Sequence, residues 1–107
     1  MRLAVLSDIH GNLEAFDAVL ADAAGQRIDA WMSLGDNVGY GPDSEAVVQL
    51  LREREIPSVA GNHELAVRNP RLRRWFNPTA RRSVEMTLDA LSPETLADIA
   101  ELPNLRV

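Results

Sequence analysis

The chain contains neither cysteine nor lysine, and all eleven of its basic residues are arginine. These absences exclude a thiol nucleophile, a disulfide framework, a Schiff-base lysine and a Walker A phosphate loop. Histidine is nearly missing as well, with two among 107 residues. No apolar run approaches the ~20 residues that cross a bilayer, and MRLAVLSD meets an acid too early for a signal peptide. The expectation is a cytoplasmic protein with no membrane partner. Positive charge is also short: the formal charge is −5 and the pI about 4.9. The chain as a whole therefore carries no electrostatic footprint for nucleic acid.

What remains is 46% apolar residues in a length that suits one domain with a core. The runs LAVL (3–6), AWMSL (30–34) and IPSVA (56–60) read as strands buried on both faces, with Pro57 weakening the third. Between the first two, Leu13, Phe16, Val19, Leu20 and Ala23 share a helical face, with Asn12 placed to cap and Gly25 to stop. Between the second and third, Asp43 or Ser44 caps a helix buried through Val47, Val48, Leu50 and Leu51. The order strand, helix, strand, helix, strand predicts an α/β fold with parallel strands and a ligand site beyond their carboxyl ends. Residues 65–78 read as a loop or short broken helix. Thr79 then caps a helix with Ala80, Val84, Leu88 and Leu91 inward, and Ser92-Pro93-Glu94 opens another that Leu102 and Pro103 close. The final NLRV reads as the start of a strand.

Each apolar run ends in polar residues: Ser7-Asp8-Ile9-His10-Gly11-Asn12, Gly35-Asp36-Asn37, and Gly61-Asn62-His63-Glu64. Parallel strands place the three tips along one edge. Residues i and i+2 of an extended segment share a face, so Asp8 and His10 point the same way. A set of carboxylates, imidazole and amide without sulfur suits manganese, iron, zinc or magnesium. Asp36, the one acid of its cluster, has two oxygens with which to bridge two ions. Gly11, Gly35 and Gly61 let the chain turn close to a ligand. Taken singly, Asp8 or Asn62 is ordinary turn chemistry, but both histidines of the chain fall within these clusters. Six arginines between Arg68 and Arg82 read as a solvated face, and Trp31, Met32, Trp75 and Phe76 as core or loop anchors.

The ordered motifs D-x-H-G-N, G-D-x-V-G-Y-G-P-D and G-N-H-E resemble the calcineurin-like metallophosphoesterase superfamily, in particular its small bacterial YfcE-type phosphodiesterase branch. The stretch from Phe76 to Pro103 resembles the same branch. The likeness covers all 107 residues but only about the first half of that family's domain. It implies a four-layer fold of two packed β-sheets flanked by helices, with this chain as a βαβαβ N-terminal half followed by helices. It further implies a binuclear metal centre, with Asp8 and His10 on the first ion, Asp36 bridging and Asn62 on the second. His63 would face a small phosphorylated substrate and assist the leaving oxygen. Glu64 would hydrogen-bond the His63 imidazole, and Asn12 would support the ligands from behind. Two divalent ions are implied, manganese first, otherwise iron, zinc or nickel, with the second site incomplete because the family's later histidines are missing. Two rival readings stand beside it. One is a non-catalytic fold element whose uncovered sheet edge pairs with a partner chain or a second copy. The other is a nucleic-acid module built on Arg68 to Arg82.

Overall fold

LAVL forms β1 (Leu3–Leu6) and AWMS forms β2 (Ala30–Ser33), paired in parallel with Leu3 beside Ala30 and Leu6 beside Ser33. Parallel neighbours need a long crossover, and α1 (Leu13–Ala23) supplies it. There follow α2 (Ser44–Glu53), α3 (Asn62–Arg68), a 3-10 helix (Pro70–Trp75), α4 (Pro78–Ala90) and α5 (Pro93–Glu101). The α/β order is the one the strand-helix alternation predicts. The computed structural model describes residues 1–104, so the strand expected over NLRV lies, beyond Asn104, outside the described residues.

The third expected strand shrinks to one parallel bridge, Ser58 beside Ser33. Only the carbonyl of Pro57 and the N–H of Val59 reach Ser33, at 2.9 and 3.1 Å. Pro57 has no N–H to give, and Ala60 donates to Pro103 instead. A second difference concerns burial. Leu3 and Val5 are half exposed, at 51% and 52%, so β1 is covered on one face and not on two. The covered face belongs to a core of Phe16, Leu20, Val47, Leu51 and Ile56, against which Leu6 and Trp31 pack. A second core joins Val38 to Ala66, Val67, Val84, Leu91 and Ile99 from α3, α4 and α5.

Local signals set most helix starts. The Asn12 side chain accepts from the Ala15 N–H at 3.1 Å, and Ser92 from the Thr95 N–H at 3.1 Å. The cap of α4 is Asn77, whose Oδ1 takes the Ala80 N–H at 2.8 Å, two residues before the expected Thr79. Pro78 sits inside the first turn, where its missing N–H costs nothing. Asp43 holds the cap position of α2 without a side-chain bond. Glu45, in that helix's first turn, accepts from the N–H and hydroxyl of Ser92 and from Thr95 Oγ1, clamping α2 to the start of α5.

Candidate metal centre

The segments leaving β1 and β2 run side by side past the strand ends. The N–H groups of Asp8, His10 and Gly11 donate to the carbonyls of Gly35, Asp36 and Asn37 at 3.1, 3.0 and 2.8 Å. Neither segment is extended. Asp8, His10, Asp36 and Tyr40 all have left-handed backbones, with φ of 58°, 48°, 54° and 61°. Such angles are uncommon outside glycine and concentrate where surrounding structure enforces them. Asp8 and His10 thus converge through a tight left-handed turn, not through the strand alternation that the sequence suggested. A buried chain from Ser33 Oγ to Asn37 Oδ1, and from Asn37 Nδ2 to Ser58 Oγ, fixes the base of the second loop at 2.6 and 3.0 Å.

One ligand atom from each of Asp8, His10 and Asp36 lies within 4.8 Å of the other two. His10 Nδ1 is 2.9 Å from the Val38 carbonyl. A carbonyl only accepts, so Nδ1 carries the hydrogen. In the neutral ring this leaves the Nε2 lone pair 3.4 Å from Asp8 Oδ1. Two electron-rich atoms then face one point, the arrangement that a cation completes, and the carbonyl behind the ring is the usual support for a ligating histidine. Asp36 Oδ1 also accepts the His63 N–H at 2.9 Å. Asn62, exposed at the start of α3, lines the same cleft of about 610 Å³ as Asp8, His10, Asp36 and His63. Carboxylate oxygen and imidazole nitrogen without sulfur fit a hard or borderline divalent ion.

Asn62 and His63 are not neighbours on an extended strand; both lie in the first turn of α3. His63 is buried against three rings, those of His10 and Tyr40 at 4.7 Å and Phe76 at 5.1 Å. Burial lowers its pKa, the neighbouring His10 lowers it further, and the Asp36 and Asp8 carboxylates pull it partly back. Its Nδ1 has no partner among the described residues and lies over Gly39, where an added Cβ would stand 2.2 Å away. Gly39, at φ 88°, is therefore required twice, for its backbone and for the space.

Glu64 departs from expectation. Its side chain is fully buried and does not serve the His63 ring. Oε1 accepts the N–H groups of Asp36 and Gly61 at 2.6 and 2.8 Å, and Oε2 those of Asn37 and Val38 at 3.0 and 3.2 Å. The carboxylate thus staples the loop after β2 to the start of α3. Burial pushes its pKa up, the N–H groups of Gly61, Asp36 and Val38 pull it down, and the Asp36 charge adds to the rise, which prevails. Asn12 is occupied as the cap of α1 and does not line the cleft. The residues that the sequence reading missed are Val38, through its carbonyl, and Tyr40. Both fall within the G-D-x-V-G-Y-G-P-D motif, but nothing local said that its tyrosine would pack on both histidines.

The family model for calcineurin-like phosphoesterases matches residues 1–103. The chain belongs to that family. It is 38% identical over 101 residues to an uncharacterised protein of Methanocaldococcus jannaschii, a match covering 94% of this chain and 42% of that protein. It is 33% identical over 107 residues to a zinc-dependent endopolyphosphatase of Saccharomyces cerevisiae, covering 92% and 32%. Among solved structures, a metallophosphoesterase from Sphaerobacter thermophilus superposes with a TM-score of 0.79 at 40% identity, covering all of this chain and 43% of that one. The chain thus spans less than half the length of these relatives.

Proposed function

We propose that residues 1–107 form the N-terminal part of a phosphoesterase domain of the small bacterial YfcE-type branch. It hydrolyses a phosphate mono- or diester at a centre of two divalent ions, manganese first. Asp8 and His10 would hold one ion, Asn62 the other, and Asp36 both. Bound there, the pair would acidify a water and neutralise charge on the phosphoryl oxygens. Around it the chain's own groups keep fixed tasks. Val38 orients His10, the His63 N–H holds one Asp36 oxygen, and Glu64 anchors the backbone from which Asp36 projects. His63 lines the cleft in a desolvated ring cluster, placed to give a hydrogen bond to the departing oxygen.

The observation that carries this reading is the convergence of Asp8, His10 and Asp36 within 4.8 Å, in a cleft shared with Asn62 and His63. Asp36→Asn in the full-length protein should abolish manganese-stimulated hydrolysis of an aryl phosphodiester. Retained activity would reject the bridging role. The half-exposed Leu3 and Val5 on edge strand β1 favour a second reading, a fold element that works through a partner chain or a second copy. Calorimetric titration with manganese separates them, because two tight sites per chain exclude a purely structural role.

A further inference from the structure

Trp75 is 86% exposed, although the sequence marks it as an anchor, and it lines the cleft that holds Asp8, His10, Asp36 and His63. We propose that it is the specificity platform of this cleft, stacking on the flat organic group of an aromatic phosphate ester whose phosphate lies at the Asp8, His10 and Asp36 donors. This inference rests on the phosphoesterase reading above and adds the class of alcohol that the ester carries.

The segment that presents the indole is tied down on all sides. Asn69 Oδ1 accepts the Arg71 N–H at 3.1 Å and starts the 3-10 helix. Arg73 caps α3, giving Nε to the Ala66 carbonyl at 2.7 Å and Nη2 to the Val67 carbonyl at 2.9 Å. Arg81 returns from α4 to the Arg73 carbonyl at 3.2 Å. Phe76 turns inward onto His63. Three of the arginines expected to form a solvated face, Arg68, Arg73 and Arg81, are thus committed to backbone carbonyls. Trp75 differs from its neighbours: among the described residues its ring makes no aromatic contact. A large ring on a segment fixed this way, left in water beside a charged site, buries little apolar surface among the described residues. It gains when a flat ligand face covers it.

Two further features agree. Tyr40, 57% exposed, lines the same cleft and packs against His10 at 4.9 Å, so aromatic surface adjoins the donors on a second element. Arg71 and Arg74 share the 3-10 helix with Trp75, outside the cleft lining, exposed and without a side-chain hydrogen bond or ion pair among the described residues. From there their charge acts only at longer range, favouring the approach of an anionic ester to a chain that is acidic overall.

The test uses the full-length protein with manganese and a Trp31→Phe background, which makes Trp75 the one indole among residues 1–107. Emission is titrated with adenosine 5′-monophosphate and phenyl phosphate as aromatic ligands, and with ribose 5-phosphate as the control without a ring. The aromatic ligands should quench the emission and ribose 5-phosphate should not. Relative affinity for the two aromatic ligands tells a nucleotide from a simple aryl ester. By direct binding, Trp75→Ala should weaken the aromatic ligands about tenfold, leave ribose 5-phosphate within about twofold, and be largely rescued by Trp75→Phe. Equal losses for all ligands, or no quenching, would overturn the platform. So would a marked drop in melting temperature with unchanged binding, which would make the indole a packing contact. Asp36→Asn separates the two layers. If it removes ribose 5-phosphate binding while Trp75→Ala changes nothing, only the platform fails; if ribose 5-phosphate binding ignores both Asp36 and manganese, the metal reading fails and takes the platform with it.

Discussion

Replacing Glu64 with glutamine changes one oxygen to an NH2 group and leaves shape and volume alone. The native carboxylate accepts four backbone N–H groups, two on each oxygen. An amide has a single accepting oxygen, so either orientation points an N–H donor at two backbone donors. One orientation abandons Asp36 and Gly61, the other Asn37 and Val38. Each buried N–H left without a partner costs about 1–3 kcal/mol. Removing a buried negative charge, whose desolvation pushes the carboxyl upward, returns part of that loss. The net expectation is about 2 kcal/mol of destabilisation, a sizeable part of the 5–15 kcal/mol typical of a domain. With a urea slope of about 1–1.5 kcal/mol per molar for a chain of this size, the unfolding midpoint should fall by roughly 1–2 M. Manganese affinity should fall as well, because the displaced N–H groups belong to the loop that carries Asp36. The competing idea from sequence, that Glu64 orients the His63 ring, makes the opposite forecast. Turnover would drop while the midpoint stayed in place, and that result would refute the staple.

Three other perturbations follow from the same geometry. Gly39→Ala adds a Cβ 2.2 Å from His63 Nδ1 at a left-handed backbone position; it should displace the ring and destabilise the fold by about 1–3 kcal/mol, read as lost turnover and a lower unfolding midpoint. His63→Ala should reduce turnover far more than bound metal measured by elemental analysis; a parallel fall would make His63 a ligand. Burial pushes the Glu45 carboxyl up, but the Ser92 N–H and the side chains of Thr95, Ser92 and Gln49 outweigh it and hold it below the usual range. A lowered folded pKa gives stability that is present above the unfolded value of about 4.3 and is lost as pH falls through the folded one. Glu45→Gln should therefore cost about 1 kcal/mol near pH 7, and the gap to the parent melting temperature should close below about pH 4.

Much of the framework was legible from short-range signals. LAVL and AWMS became strands, Asn12 and Ser92 capped the helices they precede, and Asp8, His10 and Asp36 met at one edge. Each of these depends on a few neighbouring residues or on the parallel order that helical crossovers impose. Where the reading was local but incomplete, other contacts prevailed: Asn77 with Pro78 took the cap assigned to Thr79, and Pro57, which has no N–H, with Ala60 donating to Pro103, left the third strand as one bridge.

The rest was decided by packing between distant segments. Glu64 could reach the His63 ring one residue away, yet its carboxylate serves Asp36, Asn37 and Val38, 26 to 28 positions back, because α3 begins directly behind that loop. Trp75 and Phe76 are adjacent in sequence and opposite in environment, since only one of two neighbouring side chains can turn onto His63. By itself the sequence determined which donors exist and which strand ends present them, because residue type and periodicity are local properties. Only the tertiary structure decided how the donors are aimed, through left-handed turns and N–H groups fixed from elsewhere in the chain, because those constraints arise once distant backbone is brought into contact.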